Sequence, residues 1–67
     1  MAVTDSQLSK LITGTGDLAG ASLGTRILLN RLRVQARAEP AGLSQRIAEL
    51  REFVAKNPGV DAELSKV

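Results

Sequence analysis

Gly14, Gly16 and Ala19 stand in the spacing Gly-x-Gly-x-x-Ala, inside the run Leu11-Ile12-Thr13-Gly14-Thr15-Gly16-Asp17-Leu18-Ala19-Gly20. In a dinucleotide-binding fold this spacing bends the chain so that backbone N–H groups meet a pyrophosphate at a helix N-terminus. That chemistry needs a buried strand ahead of the glycines and a sheet to carry it. Residues 5–12 instead have a helical period, and 67 residues leave no room for the sheet. The run therefore reads as a plain glycine turn, with a backbone anion nest as the alternative.

Arg26, Arg33 and Arg37 fall within about 40° of one another on a helical wheel and form a basic stripe, with Arg31 elsewhere on the same segment. Such a stripe can neutralise phosphates. No aromatic residue is interleaved with it for base stacking, since Phe53 is the only aromatic of the chain. The stripe is expected instead to meet acids across a helical interface, either Glu49 and Glu52 or those of a partner.

For catalysis the chain offers little. It has no His, Cys or Tyr, so general bases and nucleophiles reduce to carboxylates, lysines and hydroxyls. Glu49 and Glu52 share one helix face and read as a solvated pair, and a domain this small is expected to lack a pocket of the ~300–1,000 Å³ typical of ligand sites. No catalytic residue, cofactor site or metal site is assigned, and no calcium-loop spacing is present.

The elements that position these residues are helical. Thr4 with Gln7 forms a capping box and Val3 with Leu8 a hydrophobic staple. A first helix follows through Leu8, Leu11 and Ile12, and Gly14 is expected to end it by taking positive φ. A second helix is expected over Thr25–Ala38, starting near Ser22 or Thr25 unless Gly20 and Gly24 are there to permit a close helix crossing. Glu39-Pro40-Ala41-Gly42 interrupts it. A third helix runs from Ser44, or from Pro40, to Lys56, with Leu43, Ile47, Leu50 and Val54 as its seam and Glu52–Lys56 as an outer i,i+4 pair. Asn57-Pro58-Gly59 ends that helix, and Asp61 is expected to cap a final turn through Val67 with Leu64 as its contact residue.

Between Leu18 and Ala38 the apolar residues divide into two stripes. Leu18, Ala21, Leu28, Leu29, Leu32 and Ala36 gather on one side, and Leu23, Ile27, Val34 and Ala38 nearly opposite. One stripe suits the core; the other suits a second subunit or another protein. The length points the same way. A chain of this size buries only ~60% of its unfolded surface, and without Cys or His neither a disulfide nor the usual metal staple can supplement the core.

Charge is mild and uneven: net +3 over residues 1–38, where five cations face two acids, and net −1 over residues 39–67, where four face five. Met1-Ala2-Val3-Thr4-Asp5 lacks the basic and apolar regions of a secretory signal, and no run approaches the ~20 apolar residues of a membrane span. The expected setting is the cytoplasm or a larger particle. The segment Pro58-Gly59-Val60-Asp61-Ala62-Glu63-Leu64-Ser65-Lys66-Val67 resembles part of the small subunit-binding helical domain of acyltransferase complexes. The motif that should follow is absent, so no role is carried over from it.

Taken together, residues 1–67 are expected to form one small all-α domain of three helices, with a central antiparallel hairpin of the second and third and a short C-terminal helical turn. The expected function is a non-enzymatic structural or adaptor subunit that acts through a protein partner or self-association. A virion, a secretion machine or a multi-subunit complex would suit it. Leu23, Ile27 and Val34 would anchor the contact and Arg26, Arg33 and Arg37 would tune it; the alternative is a small basic regulator that binds nucleic acid.

Overall fold

A computed structural model describes residues 2–66, which form four helices and no strand. α1 spans Asp5–Thr13, α2 Leu23–Ala38, α3 Leu43–Lys56 and α4 Pro58–Ser65, and a single 3₁₀ turn, Pro40–Gly42, joins α2 to α3. Three helices and a terminal turn were expected. The last segment is instead a full helix of eight residues, started by Pro58 at a first-turn position where its missing N–H is not needed.

Each boundary has a local cause. Thr4 and Gln7 form the expected capping box, with the Thr4 N–H donating to Gln7 Oε1 at 2.8 Å. Val3 and Leu8 are both buried in the same apolar cluster, as a staple requires. Gly14 ends α1 by a different mechanism from the one expected. Its backbone is extended (φ −83°, ψ 175°) while its N–H still reaches the Lys10 carbonyl at 2.8 Å. A Cβ there would lie 2.6 Å from that oxygen, so glycine is needed for close approach and not for left-handed geometry. No described residue has positive φ.

α2 begins at Leu23 with Ser22 as N-cap, so the segment 18–22 precedes the helix. Gly20 and Gly24 have open space where a Cβ would sit, which removes the close-crossing alternative. Leu18 and Ala21 are buried as expected, but from the connecting segment and not from a helix face.

The core is aliphatic. Leu8 and Ile12 of α1, Leu29 and Leu32 of α2, Leu50 and Val54 of α3, and Val60 and Leu64 of α4 meet in one cluster, with Val3 and Leu18 closing it from the connecting segments. Leu43, Ile47 and Phe53 pack half-buried at its edge. α1 lies against both α2 and α3, α2 touches α3, and α3 carries α4.

Long-range polar contacts tie this small core together. Asp61 was expected to cap the final turn; instead its carboxylate accepts the Ala2 and Val3 N–H groups, each at 3.0 Å, and fastens the N-terminal segment to α4. Glu63 of α4 accepts the Ser22 N–H and so caps α2 from another helix, while Ser22 and Thr25 share a hydroxyl contact of 3.1 Å. Arg51 of α3 pairs with Asp5 in the first turn of α1.

Candidate protein-docking face and the Arg33 cleft

α2 is an amphipathic helix with a second apolar stripe. Leu29, Leu32 and Ala36 face the core, while Leu23, Ile27 and Val34 remain 66%, 61% and 63% exposed, the large apolar side chains most open to solvent among the described residues. At 100° per residue, these three positions share one stripe about 40° wide, with exposed Ala38 alongside. Arg26 and Arg37 follow one edge of the stripe and Arg31 the other.

The four arginines of α2 have different fates. Arg26 and Arg37 are exposed and make no ion pair among the described residues, whereas Arg31 pairs with Glu49 of α3 at 2.9 Å. The expected acid contact of the stripe is therefore made by the one arginine outside it. Glu52 pairs with Lys56 at 2.9 Å, the predicted i,i+4 contact, and this ammonium holds the Glu52 carboxyl below the usual carboxylate range.

Arg33 leaves the stripe altogether. It is only 8% exposed, and its Nε donates to the Leu11 carbonyl at 2.8 Å while Nη1 donates to the Gly16 carbonyl at 3.0 Å. Its expected place on a partner surface thus gives way to an internal clamp that holds the glycine loop and the end of α1 onto α2. A helical wheel places an arginine at the flank of the core face but does not say that two unbonded carbonyls will stand opposite it.

Two depressions bear on ligand chemistry. A cleft of about 270 Å³ is lined by Gln7, Lys10, Leu11, Gly16, Asp17, Arg33 and Leu64. An open groove of about 500 Å³ runs from Ser22 and Thr25 past Phe53 to the start of α4. The cleft is smaller than the ~300–1,000 Å³ typical of ligand sites, and the groove is a shallow surface furrow: Gly24 and Gly59 both line it and have nothing within 4 Å of their Cβ positions, so small residues leave it open.

The Gly14–Gly16–Ala19 spacing lies on a loop after a helix, without the strand a nucleotide fold needs and without the positive φ of a backbone nest among the described residues. No group of three acidic, His or Cys residues gathers among the described residues as a metal site would require, and no helix is long and apolar enough to cross a membrane. No family model, curated protein or solved structure matches this chain.

Proposed function

We propose that this chain is a non-enzymatic assembly module in which α2 and α3, joined as an antiparallel hairpin, present the outer face of α2 to a protein partner. The observation that carries the proposal is the exposed stripe of Leu23, Ile27 and Val34, edged by Arg26 and Arg37, which make no ion pair among the described residues. Isolated exposed apolar residues are ordinary, but three aligned on one helix form a seam for a second helix.

The charges specify the partner. α2 contains no Asp or Glu, so a second copy laid on the same face would bring arginines against arginines with no acid between them. A different protein is favoured, offering an amphipathic helix whose apolar seam is edged by carboxylates. The nucleic-acid alternative keeps only Arg26 and Arg37 on this face, because Arg33 is engaged inside.

The test uses two synthetic amphipathic helical peptides with the same leucine seam, one edged by Glu and the other by Lys, titrated by fluorescence anisotropy. The Glu peptide is expected to bind at least about tenfold more tightly, and Ile27→Asp or Val34→Asp to abolish binding while helicity is retained. Equal affinity for both peptides, or binding that survives both Asp variants, would overturn the proposal. A folded homodimer by light scattering that Ile27→Asp dissociates would replace the foreign partner with a second copy.

A further inference from the structure

We infer that the cleft between α1, the glycine loop and α2 is a binding site for a carboxylate monoanion carrying a short apolar group. It is separate from the outer face of α2 and does not rest on the docking proposal.

The first argument concerns uncompensated charge. Arg33 is more than nine-tenths buried and makes no ion pair among the described residues. Two of its five N–H donors are used by the Leu11 and Gly16 carbonyls, both at the cleft, which leaves three. Nη2 makes no hydrogen bond among the described residues and is not one of the fully enclosed polar atoms, so it is open to solvent and free to meet an anion at the cleft that Arg33 lines. The planar fork of a guanidinium is matched to a carboxylate, which can accept two parallel hydrogen bonds.

The second argument is the rest of the lining. Lys10, exposed and without an ion pair among the described residues, stands on the same cleft and supplies a second cation. Gly16 and Asp17 of the exposed glycine loop line the cleft as well. Asp17 sits on the rim and brings the local charge to net +1, which suits a monoanion better than a polyphosphate. Leu11 and Leu64 provide the apolar wall, and a space of about 270 Å³ takes a chain of a few carbons beyond the carboxylate.

Two sources carry this chemistry, a free short-chain carboxylate and the terminal carboxylate of a peptide. The experiment is a ¹H–¹⁵N NMR titration of the full chain with sodium butyrate at constant ionic strength, with sodium chloride as control. It is followed by titration with a short apolar peptide whose C-terminus is either free or amidated.

Butyrate is expected to move the Gly16 and Asp17 amides and the Arg33 Nε–H saturably. It should bind more tightly than acetate, and about tenfold less tightly to Lys10→Gln, which removes one charge-assisted contact from an exposed position and leaves the fold intact. Arg33→Lys, scored only if its helicity is retained, should lose the response. Tighter binding of the free-ended peptide than of both butyrate and its amidated form assigns the site to a peptide terminus; the reverse order assigns it to a small carboxylate. Shifts that never saturate, that chloride reproduces, or that Lys10→Gln leaves unchanged would overturn the inference.

Discussion

The Arg33 Nε donates to the Leu11 carbonyl across a sequence separation of 22 residues, at 2.8 Å. That bond, with its neighbour to Gly16, holds the departing end of α1 against the middle of α2, and it turns a residue of apparent surface character into part of the interior.

Removing it has a defined cost. Arg33→Met keeps much of the aliphatic stem but leaves the Leu11 and Gly16 carbonyls without their donor, so a loss of about 2–4 kcal/mol is expected in urea unfolding. Arg33→Lys should recover only part of this, since a single ammonium replaces the planar fork. An unchanged unfolding midpoint in Arg33→Met would mean that water serves both carbonyls equally well.

The carboxylate of Asp61 accepts two backbone N–H groups, from Ala2 first and Val3 second, and these bonds lower its pKa below the ordinary value. A carboxyl whose pKa is depressed by folding stabilises the native state above its unfolded value, and that contribution fades as the pH falls through the folded value. The thermal midpoint of the natural chain should therefore exceed that of Asp61→Asn at neutral pH, with the gap narrowing below about pH 4. A gap that stays constant down to pH 2 would show that the two bonds do not depend on the charge.

Two glycines should answer alanine in opposite directions. Gly14→Ala places a methyl 2.6 Å from the Lys10 carbonyl oxygen, and the shift needed to relieve it is expected to cost about 1–3 kcal/mol. Gly24→Ala, in the exposed first turn of α2 with nothing within 4 Å, is expected to stabilise by about 0.4–1 kcal/mol through the unfolded state. Calorimetric midpoints that moved the same way in both variants would contradict the packing seen at Gly14.

The local grammar of the helices was legible because it acts over three or four residues. Thr4 and Gln7 cap α1, Glu52 and Lys56 pair on α3, and Leu50 and Val54 face the core where the seam places them. Leu23, Ile27 and Val34 likewise lie outside the core, since a helix that buries Leu29 and Leu32 must turn the opposite side outward. The contacts that escaped the reading are those between polar groups far apart in sequence, where composition carries no periodic signal. Asp61 reads as a cap until the N-terminal segment arrives beside it, and nothing in the spacing of Glu63 announces its contact with the start of α2.

Sequence alone thus determined that this chain is helical, where α1, α2 and α3 begin and end to within a turn, and which stripe of each is apolar, because hydrogen bonding and side-chain period within a helix are local; the fourth helix was legible only as a terminal turn. The tertiary structure decided which of two arginines on one face is buried. Arg33 meets the open carbonyls of Leu11 and Gly16, whereas Arg37, one turn on, meets solvent. Whether a charged side chain is buried depends on the unbonded backbone groups opposite it, and only the packing of α1 and its loop against α2 places them there.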